Sequence, residues 1–90
     1  MKIWKWKLDV KEKQTIYLPL GAKILDVQMQ NESVSLWALC NETETCKCPR
    51  YIAMYGTGHT LHDNNDNNDE YIATIQISEG ALVFHVFEEH

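Results

Sequence analysis

Nothing in this sequence runs apolar for the roughly 18 residues that a transmembrane helix needs, so no membrane span is expected. The first residues, Met1-Lys2-Ile3-Trp4-Lys5-Trp6-Lys7-Leu8, alternate charge with bulk. A secretory signal instead places a charged segment before an unbroken apolar one, so the expected location is cytoplasmic. Basic charge is scarce: 8 Lys and Arg stand against 13 Asp and Glu, for a net charge of −5. A general nucleic-acid binder needs a basic stripe, and that function is set aside. Cysteine is limited to Cys40, Cys46 and Cys48. An odd count without a secretory signal favours free thiols. One residue separates Cys46 from Cys48, and a disulfide between them would be strained. A helical apolar period is also missing, with residues 21–25 the nearest approach to one.

What the sequence does have is alternation. Ninety residues, 44% of them apolar, fit a single domain with one modest core. Period-2 patterning predicts seven short strands. In the first, Trp4, Trp6, Leu8 and Val10 share one face, with Ile3, Lys5 and Lys7 on the other. Residues 15–18 form a second, stopped by Pro19 and turned by Gly21. Residues 23–30 form a third, with Leu25, Val27 and Met29 inward and Asp26, Gln28 and Gln30 outward. Asn31-Glu32 is a two-residue break of hairpin type. Residues 33–40, apolar on both faces, read as a central fourth strand. Residues 41–49 read as a polar loop and 50–55 as a fifth strand. A long irregular stretch follows, with a flexible loop over about 57–70. Residues 71–77 form a sixth strand, with Tyr71, Ala73, Ile75 and Ile77 on one face. Glu79-Gly80 turns into a seventh, 81–87, apolar on both faces except at His85. The expected fold is all-β: seven short antiparallel strands in a small sandwich or barrel, most simply a meander. Sheet edges left open by so small a fold invite pairing with another copy, so a homo-oligomer is expected.

Five residues form the most specific candidate site: Tyr55, Gly56, Thr57, Gly58 and His59. Two glycines around Thr57 let backbone approach a ligand closely, and successive amides there can make an anion-binding nest. Thr57 adds a hydroxyl, His59 an imidazole and Tyr55 a stacking ring. The plain alternative is a strand exit that needs glycine to turn. A third glycine and a βαβ setting are absent, so this is no dinucleotide fingerprint. His85, together with Trp4 and Trp6, completes the expected ligand-binding set; the competing reading makes the tryptophans, Trp37 included, core. Cys46, Cys48, His59 and His62 offer soft ligands for Zn²⁺, but at spacings unlike common zinc modules. The acidic run from Asp63 to Glu70 lacks the alternate acids and central glycine of a calcium loop. No elbow serine, P-loop or His-Glu-x-x-His is present. No cofactor and no catalytic set are therefore expected.

Several segments together resemble a small family of uncharacterised proteins of bacteriophages and prophages. They are Lys2-Ile3-Trp4-Lys5, residues 21–28, Leu36-Trp37-Ala38-Leu39, Tyr55-Gly56-Thr57-Gly58-His59, Tyr71-Ile72-Ala73-Thr74 and residues 81–88. The cysteines and the Asn/Asp run lie outside that pattern. The resemblance implies a phage accessory protein acting in the bacterial host cytoplasm and carries no activity. Two functional expectations follow. One is a non-enzymatic binding module that sequesters a small anionic ligand, such as a nucleotide signal of host defence. The other is a protein–protein inhibitor of a host factor, whose acidic surface mimics nucleic acid. An enzyme would need a cleft joining His59, His85 and an acid.

Overall fold

The computed structural model describes residues 1–59 and 69–90. Seven strands form, and no helix occurs among the described residues: β1 (Lys2–Leu8), β2 (Lys13–Pro19), β3 (Lys23–Gln30), β4 (Ser33–Cys40), β5 (Lys47–Gly56), β6 (Glu70–Ile77) and β7 (Leu82–Glu89). They build two antiparallel sheets, ordered β1-β4-β3 and β2-β5-β7-β6. The all-β sandwich expected from alternation is what the chain forms. Among the described residues, no helix is long and apolar enough to cross a membrane.

The order is not a meander. Among the described residues, only β3–β4 and β6–β7 are hairpins between neighbouring strands, while β1 pairs with β4 and β2 with β5. The chain crosses between sheets after β1, after β2 and after β4. Sequential pairing is a tendency set by short loops. Here the need to bury two apolar faces against each other wins. At Asn31 and Glu32, φ is 49° and 69°, and Gln30 pairs with Ser33. That is the mirror-image two-residue turn whose twist suits a hairpin.

One core lies between the sheets. Leu8, Val27, Val34, Leu36, Ala38 and Cys40 face inward from the first sheet, and Leu18, Ile52, Met54, Ile75 and Val86 from the second. β4 is buried along most of its length, as its apolar faces predict.

Three face assignments change. β1 ends at Leu8, so Val10 lies beyond the strand and is exposed. The register of β3 shifts between Ile24 and Asp26. Leu25 is the extra, exposed residue of this bulge, and Ile24 takes the inward place. β6 likewise shifts between Tyr71 and Ala73. Ile72 turns toward the core, and Tyr71 leaves the face of Ala73 and Ile75 for the outer one. β5 also starts earlier than expected, at Lys47, and contains Pro49. Pro49 pairs only with Tyr17 of β2, because the β7 pairing begins at Tyr51. A residue without an N–H is tolerated where no ladder partner is waiting.

The sheets are pinned at one end by Arg50. Its Nη2 donates to Glu88 Oε1 at 2.9 Å, its Nε donates to Glu88 Oε2, and its Nη1 donates to the Ala22 carbonyl at 2.7 Å. Glu88 is 4% exposed. A buried carboxylate is sustainable only when paired in this way.

Candidate functional site

The outer face of the β2-β5-β7-β6 sheet carries the most chemistry. Cross-strand register places Tyr55, His85 and Thr74 in one row, and Lys13, Ala53, Phe87 and Tyr71 in the next. Alternation dictates this row structure. Inward-facing Met54, Val86 and Ile75 force their neighbours outward. Ala53 is the small residue of the face. It is nonetheless 0% exposed, because larger side chains close over it.

A hydrogen-bonded line crosses these rows. Thr57 Oγ1 lies 2.7 Å from His85 Nε2. His85 Nδ1 lies 3.0 Å from Thr74 Oγ1, and Thr74 Oγ1 lies 2.7 Å from the Tyr71 hydroxyl. A neutral imidazole donates at one nitrogen and accepts at the other, so the line runs in either direction. When Tyr71 donates to Thr74, Thr74 to Nδ1 and Nε2 to Thr57, the Thr57 hydroxyl is left to donate outward.

Three rings flank the line. Tyr55 and Phe87 stack tilted with centroids 6.0 Å apart, and Tyr71 meets Phe87 edge-on at 5.6 Å. Such pairs are worth ~0.5–1.5 kcal/mol beyond their burial. Lys13 lies 5.5 Å from the Tyr55 ring centre and pairs with Glu89. Glu89 first, then Tyr55, hold the Lys13 ammonium protonated far above its usual range. Tyr17 and Tyr51 extend the exposed aromatic surface.

The stretch Tyr55 to His59 divides between two faces. Tyr55 and Thr57 belong to the outer face with His85. Gly56 pairs with Phe84, whose side chain faces the core. A Cβ on Gly56 would meet His59 Cε1 at 2.7 Å, so His59 lies over the opposite face and lines, with Lys11, Glu12, Tyr55 and Phe84, a cleft of about 400 Å³ that His85 does not reach. A joint His59–His85 site does not form. Neither does an anion nest. The Thr57 amide donates to Val83 O at 3.2 Å and the His59 amide to Gly56 O at 3.1 Å. Gly58 supplies the positive φ, 87°, that this turn needs.

The tryptophans sit elsewhere. Trp4 and Trp6 share the inward face of β1 with Leu8; Trp6 packs against the core, whereas Trp4 is 40% exposed. Neither joins Tyr55 or His85. Cys46 is exposed, and Cys48 pairs with Leu18 near the start of β5. Eight residues of strand separate Cys48 from Gly56, or ~26 Å at about 3.3 Å each. His59 therefore does not join the cysteines. His62 and the run from Asp63 to Asn68 lie outside the described residues.

Thr74, Tyr71, Phe87 and Lys13 are additions that sequence reasoning did not nominate. Phe87 was open to it, since period 2 puts residues 85 and 87 on one face. Tyr71 was not, because a bulge reassigns it.

The chain belongs to a family described as a domain of unknown function (DUF7352), whose model matches residues 1–90. No curated protein and no solved structure matches the chain.

Proposed function

We propose that this domain is a non-enzymatic binding module that takes a small, ring-bearing anion, such as a nucleotide, on the outer face of the β2-β5-β7-β6 sheet. The observation that carries this reading is the line Thr57–His85–Thr74–Tyr71 running beside three clustered rings on one face. The core does not require this arrangement. An imidazole and three hydroxyls facing outward do nothing for packing, and single exposed rings would suffice for a solvated sheet. A base stacks on the rings, at ~1–3 kcal/mol per base. A phosphate accepts from the Thr57 hydroxyl; Lys13, beside the Tyr55 ring, is paired with Glu89 and adds no net charge. Charge-assisted bonds of that kind contribute roughly 1.5–3 kcal/mol each.

The setting we infer, from the resemblance to phage and prophage proteins, is a phage accessory role in the host cytoplasm. There it sequesters a nucleotide signal of host defence. The acid-mimic alternative has less support. Glu88 and Glu89 at the end of β7 are paired with Arg50 and Lys13, which removes them from any free acidic surface. A thermal-shift panel of linear and cyclic nucleotides tests the proposal. Saturable stabilisation by at least one nucleotide, lost in His85→Ala, is expected. No shift across the panel refutes it.

A further inference from the structure

A second cluster lies on the inward side of the same sheet, at the cleft where β3 and β6 meet. Glu70 and Glu88 stand directly opposite each other on β6 and β7. Like charges in that position destabilise a sheet. Arg50 neutralises Glu88 alone. His90 Nε2 lies 3.3 Å from Glu70 Oε1 and 3.9 Å from Glu88 Oε1. One donor atom from each of the three residues falls within 4.8 Å of the other two.

We propose that Glu70, Glu88 and His90 bind a divalent transition-metal ion of the Zn²⁺ class. The geometry is close to what the ion needs. Zn²⁺ sits about 2.0–2.2 Å from carboxylate oxygen and imidazole nitrogen, which puts tetrahedral donors ~3.4 Å apart. The observed separations bracket that distance. Glu88 is 4% exposed, and its carboxylate is aimed by Arg50, which is itself anchored on the Ala22 carbonyl. Each carboxylate oxygen has a second lone pair free of the guanidinium. A buried ligand oriented by an outer partner is the usual support of a metal centre. His90 and Glu70 are exposed and supply adjustable donors. A cleft of about 390 Å³, lined also by Ala22, Lys23, Ile24 and Leu25, opens onto the cluster and gives the ion access. The neighbouring cations are Arg50 and Lys23. With a neutral imidazole, the two carboxylates balance Arg50 and Lys23, so the attraction for the ion comes from the two carboxylate oxygens and the imidazole nitrogen that would ligate it. Two oxygens and one nitrogen favour Zn²⁺ over softer metals and leave one position for water.

Calorimetric titration of the full chain with ZnCl₂ tests this, comparing wild type with Glu70→Gln, His90→Gln and the double variant Cys46→Ser/Cys48→Ser. Both ligand variants change exposed side chains and keep the Arg50–Glu88 pair, and circular dichroism checks their folding. One bound ion per chain is expected, weakened at least tenfold by either ligand variant and unchanged in the cysteine variant. No binding at about 0.1 mM Zn²⁺, or binding that survives both ligand variants, overturns the proposal.

Discussion

Thr57 Oγ1 lies 2.7 Å from His85 Nε2, joining the exit of β5 to the middle of β7. The Thr57 amide also donates to Val83 O, one residue row away on the same strand. Two attachments hold the threonine at the edge of the aromatic face. Its hydroxyl is therefore oriented before any ligand arrives, which lowers the ordering cost of binding.

Removing either end of that contact should weaken nucleotide binding. His85→Ala and Thr57→Val are each expected to cost about 1.4 kcal/mol or more, which is tenfold in affinity. Phe87→Ala should cost ~1–3 kcal/mol through lost stacking. Trp4→Ala should leave affinity unchanged, because Trp4 lies on the other sheet. Calorimetric titration with the nucleotide found in the panel measures all four. Equal affinity in His85→Ala and wild type would place the ligand elsewhere.

Breaking the Arg50–Glu88 pair should be far costlier than losing any surface ion pair. Arg50→Met leaves Glu88 uncompensated, at about 3–5 kcal/mol. Small domains total only about 5–15 kcal/mol, so the midpoint of urea unfolding should fall steeply. Removing both charges, as in Arg50→Met/Glu88→Leu, should recover much of the loss. A Lys13→Met variant should change stability by less than about 1 kcal/mol, since its pair with Glu89 is solvent-exposed.

Gly56→Ala should move His59 and little else. The new Cβ would fall 2.7 Å from the His59 ring, and the ring belongs to an exposed side chain that can swing away. The His59 imidazole resonances should shift strongly in NMR spectra, with stability nearly unchanged. Gly58→Ala should instead cost ~1 kcal/mol, because φ at Gly58 is 87° and the left-handed region penalises a Cβ.

The thiols should separate by reactivity. Cys40 is 0% exposed, and burial pushes its thiol up, away from the reactive thiolate. Cys46 is exposed and Cys48 half-buried. Alkylation of the native protein should label Cys46 fastest and Cys40 only after unfolding. Mass spectrometry of digested samples reads the order directly. Rapid labelling of Cys40 would contradict its place in the core.

The strands were legible because alternation of apolar and polar residues carries them locally. Ser33–Cys40 could be read as central from apolar residues on both faces, and Asn31-Glu32 as a hairpin turn from its length. The bulges at Leu25 and Ile72 were not legible. Each inserts one residue into an otherwise regular period, and only the partner strand decides which residue is extra. The candidate site followed the same division. His85 and Tyr55 were nominated from their types, whereas Tyr71 reached them only through a register shift.

Local alternation alone sets the seven strands of the described residues, to within a few residues at their ends, and puts Thr57 between two glycines at the exit of β5. Tertiary structure alone decided that Thr57 meets His85, that His59 and the tryptophans do not, and that Glu70, Glu88 and His90 converge beside Arg50. The reason is physical. Strand propensity acts over neighbouring residues, while cross-strand register and the facing of two sheets depend on contacts tens of residues apart. Those contacts settle only when both apolar faces are buried together.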